Sequence, residues 1–252
     1  MLPNDQHKYL YGIIAEPQPQ RFNMVGIEEA EVYTITFREL TAVVSDTNLI
    51  EIDPVRKNVL AHTRVQDELI KKYDMLPMGF GMITDNEEEI LKLLERNYQI
   101  LRDEFLRLAG KIEIEIKLFW NQAAILQALE SESQEFNRLK EKISHESSPA
   151  KAQNLLVEVG KIIERTAEEW KVKYAEEVRS ILQNLAIDVV LNDPSGVENI
   201  LNASFLVERS REGEFNNKVH ELDIAYQNKV NFKYIGPLPP YNFVRVKLEL
   251  LC

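Results

Sequence analysis

The sequence predicts an α+β fold in two domains, and three observations carry that prediction. Ile112, Ile114, Ile116 and Leu118 alternate strictly with Lys111, Glu113, Glu115 and Lys117, the pattern of a strand with one face buried and one wet. Short aromatic and β-branched runs recur before residue 50, broken by Pro17 and Pro19. Between Leu156 and Leu185 the apolar positions fall instead at threes and fours, the period of a helix. Strand signals flank helix signals on both sides of Gly110, where the domain boundary is placed: 1–110 for the first domain and 111–252 for the second.

In the first domain, Lys8 to Ala15 reads as a buried strand that stops at the Pro17 and Pro19 loop. Tyr33, Ile35 and Phe37 alternate with Thr34 and Thr36 as a half-buried strand, and Thr41 to Ser45 reads as its partner. Asp53-Pro54 opens a helix, with Asp at the cap and Pro at the first helical position. Its apolar side carries Val55, Val59, His62, Gln66, Leu69 and Tyr73. Met75 to Thr84 reads as another strand. A second helix begins near Asp85, where Glu87, Glu88 and Glu89 complement the positive end of the helix dipole. Its stripe runs through Leu91, Leu94, Tyr98, Leu101, Phe105 and Leu108, and Gly110 ends it.

The second domain starts with the strand at 111–118. Ile125, Leu129, Phe136, Leu139 and Ile143 mark a helical segment with a break at Ser131-Glu132-Ser133. Ser148-Pro149 caps a longer helix with the stripe Leu156, Val159, Ile163, Ala167, Trp170, Tyr174, Val178, Ile181 and Leu185, which resembles a coiled-coil seam. At ~1.5 Å per residue this helix is roughly 50 Å long, so a helical hairpin over about 121–186 is expected. Ile187 to Leu191 and Ile200 to Glu208 read as strands around the turn Asn192-Asp193-Pro194-Ser195-Gly196. Phe215, Val219, Leu222 and Tyr226 mark a last helix and Val230 to Ile235 a last strand. The order is βαββαβ, the ferredoxin-like plan, with an enlarged helical crossover.

Bulk composition narrows the function classes. The chain has 252 residues, 44% of them hydrophobic, which is enough apolar material for a packed core. Its net charge of −11 opposes binding to nucleic acid or to an anionic membrane surface, both of which attract clustered Lys and Arg. No apolar run reaches the length of a membrane-spanning helix, and Met1 to Asp5 lack a signal-peptide pattern. The one cysteine, Cys252, cannot form an intrachain disulfide, so a reducing cytoplasmic location is expected.

Catalytic and metal signatures are absent: no Gly-x-Ser-x-Gly, His-Glu-x-x-His, Cys-x-x-Cys or P-loop occurs. No catalytic, cofactor-binding or metal-binding residue is therefore assigned. Gly79-Phe80-Gly81 is a fragment without the third glycine of a dinucleotide loop, and reads as a relaxed strand end. His62 sits on an apolar helix face with no second titratable group beside it, the setting of a buried histidine bonded to a neighbouring strand. Glu87 to Glu89 and Glu168-Glu169 are adjacent in helices, so their carboxylates diverge onto solvated faces.

One segment stands apart. Ile235 to Phe243 packs Pro237, Pro239 and Pro240 with Tyr241 and Phe243 into nine residues. Prolines fix φ and remove donors, so the loop is stiff and barred from a central strand. The loop reads either as a rigid cover over the sheet or as a preformed binding surface with little entropy to lose, and in the second case Pro237, Leu238, Pro239, Pro240, Tyr241 and Phe243 are the candidate partner-binding residues.

Gly-Pro-Leu-Pro-Pro-Tyr-Asn-Phe at 236–243 resembles the C-terminal signature of the gas vesicle F/L family. Tyr9-Leu10-Tyr11-Gly12-Ile13, His62, Leu76 to Gly81 and Ala203 to Glu208 are similar to that family in the same order. Leu238 stands where the family often has Trp, and Met82 where Thr often follows Phe-Gly. The resemblance implies two α+β domains and a non-enzymatic role in the cytoplasm or on the gas vesicle. Its implied partners are the small hydrophobic shell protein and other accessory proteins, with the chain acting as an assembly factor or a minor shell component. A sheet edge or apolar groove would cover the shell protein's aggregation-prone surface, and replacing Tyr241 and Phe243 by Ala is expected to weaken its capture. The competing reading is a small-ligand-binding regulator or enzyme on a ferredoxin-like domain, which a ligand thermal-shift screen would reveal.

Overall fold

The computed structural model describes residues 6–193, 199–226 and 229–248. The fold mixes helices and antiparallel sheet in two compact units, one holding residues up to 114 with 208–210 and 236 onward, the other 115–207 with 211–235. The C-terminal segment thus returns to the unit that holds the N-terminal sheet, and no single cut in sequence separates the two.

The first unit is built on β1 (His7–Ile14), which is buried from Lys8 to Ile14 and has strands paired along both edges. The order is β2 (Arg21–Val25), β3 (Glu31–Phe37), β4 (Leu40–Thr47), β1, β5 (Met75–Pro77), with β6 (Ile83–Thr84) also pairing with β1. β1 runs antiparallel to β4 with a register shift between Leu10 and Gly12. A Cβ at Gly12 would lie 2.6 Å from Met75 Cε and 2.9 Å from the Leu76 carbonyl oxygen, so β5 can approach only a glycine there. The strand expected over Met75 to Thr84 is in fact two, because Met78 to Met82 loops out between β5 and β6. β2 escaped the sequence reading, although Phe22 and Met24 alternate with Arg21 and Asn23 and pack onto the core.

Helix α1 (Arg56–Ile70) begins two residues later than the Asp53-Pro54 signal suggests. Val55 is its N-cap in extended conformation, with no side-chain cap bond, while the Asp53 carbonyl accepts from the Val55 amide. The helix expected from Asp85 to Gly110 is broken at buried Asn97 into α2 (Glu87–Arg96) and α3 (Tyr98–Leu108). Asn97 donates both its backbone and its side-chain amide to the Leu93 carbonyl, at 3.2 and 2.9 Å. At the start of α2 the Asn86 side chain caps the Glu89 amide.

In the second unit, β7 (Lys111–Trp120) is followed by α4 (Gln122–Glu132), α5 (Gln134–His145) and α6 (Pro149–Gln183). Then come β8 (Asp188–Leu191), β9 (Asn199–Glu208), α7 (Glu212–Tyr226) and β10 (Val230–Leu238). The sheet order is β10-β7-β9-β8, which puts Pro237 on an edge strand. Ser133 caps α5 by accepting from the Phe136 amide, at the expected break. Ile125, Leu129, Phe136, Leu139 and Ile162 form one core with Leu155, Val159 and Ile163 packed against it. Much of the expected α6 stripe turns inward, with Tyr174 and Val178 buried and Val159, Ile163, Ala167 and Trp170 packed against that core, while Leu156 and Ile181 are exposed and their neighbours Leu155 and Leu182 turn in. Of the expected turn after β8, Pro194, Ser195 and Gly196 lie outside the described residues, as do Cys252 and Met1 to Asp5.

Candidate functional site

The proline-rich loop is best built from the groups that hold it, all of which belong to the first unit. Pro237 and Leu238 close β10 and are half-buried, whereas Pro239 and Pro240 are buried. The Pro240 carbonyl accepts from the amides of Phe243 and Val244, at 3.0 and 3.1 Å, so the chain turns tightly there. Phe243 is 1% exposed and its carbonyl accepts from Arg107 Nη2. Tyr241 is 38% exposed, and its hydroxyl donates to Gln66 Oε1 at 2.5 Å. The six candidate residues therefore divide: Pro239, Pro240 and Phe243 anchor the loop, while parts of Tyr241, whose hydroxyl turns in to buried Gln66, and of Pro237 and Leu238 stay accessible.

Two carboxylates fix the residues just after the prolines. Glu113, 1% exposed, accepts the Asn242 amide at 2.8 Å and its side-chain Nδ2 at 2.6 Å. Glu104 accepts the Arg245 amide at 2.6 Å and a forked pair of bonds from Arg107, at 2.7 and 2.8 Å. Arg107 holds the Glu104 carboxyl below the ordinary carboxylate range. Sequence reading placed Glu113 on a wet strand face, because nothing local reveals a loop returning from residue 242 to cover it. Glu104 had one visible signal, an acid beside Phe105 on the apolar side of its helix.

The second motif of interest, Met78 to Met82, is held through its backbone. His62 Nε2 lies 3.1 Å from the Met78 carbonyl, which only accepts, so Nε2 carries the proton and Nδ1 accepts from the Tyr9 hydroxyl at 2.8 Å. Tyr9 in turn accepts the Gly81 amide at 3.1 Å, and Gly81 has a left-handed φ of 86°. Gln66 Nε2 donates to the Met78 and Tyr11 carbonyls at 2.9 and 2.6 Å. One chain of bonds thus runs from Tyr241 through Gln66 to Met78, then through His62 and Tyr9 to Gly81. Burial pushes His62 down to about 4 and Tyr9 up to about 12, so both are neutral at pH 7.

Chemically, this arrangement positions loops and presents no convergent reactive groups. Among the described residues no group of three or more His, Cys, Asp or Glu side chains could hold a metal ion. No described helix is long and apolar enough to cross a membrane.

Comparison with known proteins gives a consistent result. The sequence model of the family described as "Gas vesicle synthesis protein GvpL/GvpF" matches residues 7–245. Gas vesicle protein F of Nostoc sp. strain PCC 7120 is 27% identical over 94% of this chain and 98% of its own. Gas vesicle protein L of Haloferax mediterranei is 24% identical over 88% of this chain and 73% of its own. The crystal structure of GvpF from Anabaena sp. PCC7120 superposes with a TM-score of 0.75 at 26% identity, covering 96% of this chain and 97% of that one. GvpF from Microcystis aeruginosa gives 0.73 at 25% identity, covering 95% and 99%.

Proposed function

The chain belongs to the GvpL/GvpF family of gas vesicle synthesis proteins, and on that premise we propose that it is a non-enzymatic factor that binds the small hydrophobic shell protein and assists its assembly. It works in the cytoplasm with other accessory proteins of the vesicle, and a fraction remains on the vesicle as a minor shell component. The observation that carries this reading is the part-exposed Tyr241, set on a loop whose backbone and anchors are already fixed. A partner meeting that surface encounters an aromatic ring and two half-buried apolar neighbours, with little order left to impose.

Co-expression with the shell protein, followed by purification through a salt wash, tests this reading. A stable complex that keeps the shell protein soluble is expected, and Tyr241→Ala should reduce capture while Tyr241→Phe retains it. Capture unchanged in a folded Tyr241→Ala variant would remove the loop from the mechanism. No capture by the folded wild-type protein would sink the shell-binding reading itself. Mass spectrometry of washed vesicles then reads whether the chain stays on the shell.

The finer architecture belongs to the same proposal. The ferredoxin-like plan is supported by the sheet order β10-β7-β9-β8, which is fourth, first, third and second in chain order. Its enlarged crossover is α4 to α6, with the 35-residue α6 as the arm of a coiled-coil-like hairpin.

A further inference from the structure

Beyond Phe243 the chain continues outside any helix or strand as Val244-Arg245-Val246-Lys247-Leu248. Val244, Val246 and Leu248 are half-buried, while Arg245 and Lys247 are exposed, the alternation of a strand with one sheltered face. Yet it belongs to no sheet: among the described residues, the amides of Val246 and Leu248 donate no hydrogen bond. The start of the segment is pinned, with the Val244 amide on the Pro240 carbonyl and the Arg245 amide on Glu104.

Its sheltered face lines a groove of about 270 Å³, whose other wall is Leu76, Pro77, Met78, Met82 and Leu101. That volume falls below the roughly 300 Å³ at which small-molecule sites begin, and no polar side chain converges on it. It suits one or two aliphatic side chains. Gly79 sits at the rim, and a Cβ there would meet nothing within 4 Å. Neither its φ nor its neighbours within the chain call for a glycine.

We propose that residues 244–248 are a docking strand for an extended segment of a partner that alternates aliphatic and acidic side chains. Such a segment pairs with the unused amides of Val246 and Leu248, as in strand addition to a sheet edge. Its aliphatic residues enter the groove against Leu76, Met78 and Leu101, and methionines at 78 and 82 adapt to their shape. Its acidic residues fall on the solvent side opposite Lys247, where opposite charges stabilise a cross-strand pair and like charges repel. This docking strand rests on the reading of the chain as a capture factor but does not need the shell protein to be the partner.

The test uses the full-length protein and a short synthetic peptide of alternating valine and glutamate, with a valine–lysine peptide beside it. The glutamate peptide should bind about tenfold tighter, and amide exchange at Val246 and Leu248 should slow in the complex. Lys247→Glu should reverse the preference. Gly79→Leu, which sets a bulky side chain at the rim of the groove, should weaken binding with the melting temperature unchanged. Failure of both peptides to bind, equal binding of the two, protection elsewhere in the chain, or normal binding by Gly79→Leu each overturns the proposal. Because shell-protein capture is read separately, loss of one result leaves the other standing.

Discussion

At the scale of single residues, His62 is the most informative side chain in the molecule. It is 3% exposed, and both ring nitrogens are committed to neutral partners, the Met78 carbonyl and the Tyr9 hydroxyl. Burial is the cause that lowers its pKa from 6.5 to about 4, opposed by the bond to Met78. The unfolded chain therefore takes up a proton that the folded chain refuses between those two values. Stability from this group is complete above pH 6.5 and is lost as pH falls toward 4, by about 3 kcal/mol at 1.36 kcal/mol per unit. Urea denaturation of wild type and His62→Gln across pH 7 to 4 measures it. The wild-type advantage should shrink with acid, and a pH-independent difference would refute the account.

At the scale of elements, the proline loop is held like core and displays one aromatic ring. Phe243→Ala should cost about 3–5 kcal/mol, because a fully buried ring leaves a cavity. Tyr241→Phe should cost only about 1 kcal/mol, the bond to Gln66. Chemical denaturation of the two variants separates an anchor from a displayed residue, and similar small losses would mean the loop is not integral to the fold. This division also refines the choice of variant for binding studies. A Tyr241/Phe243 double replacement confounds lost contact with lost stability, whereas Tyr241→Ala keeps Phe243 and loses only the bond to Gln66 and the ring's own packing.

At the scale of the whole molecule, the C-terminal segment behaves as part of the first unit. A chain ending at Ile235 loses Phe243, the Asn242 bonds to buried Glu113 and the Arg245 amide bond to Glu104. Two buried carboxylates then lose main-chain or side-chain donors, which costs far more than the contacts of an ordinary tail. The truncated protein should melt well below the full chain, with faster amide exchange in α3 and the first half of β7. Calorimetry with exchange mass spectrometry checks this, and an unchanged melting temperature would show the segment to be an appendage.

The sequence by itself determined the α+β class, most of the elements and the family, because these follow from local periodicity and from short motifs read in order. It marked His62 and Gln66 as polar residues on an apolar face, and it singled out the proline loop. It also located the Ser133 break, since a cap is a local device. Tertiary structure alone decided the rest. The apparent cap at Asp53-Pro54 yielded to Val55, and one apolar run at 75–84 became two strands around a loop tied to His62, Gln66 and Tyr9. Glu113 changed from a solvated strand residue to a buried acceptor because its partner lies 129 residues away. Periodicity reports which side of an element is apolar. What comes back to cover the polar side is set by long-range chain return, and no local pattern encodes it.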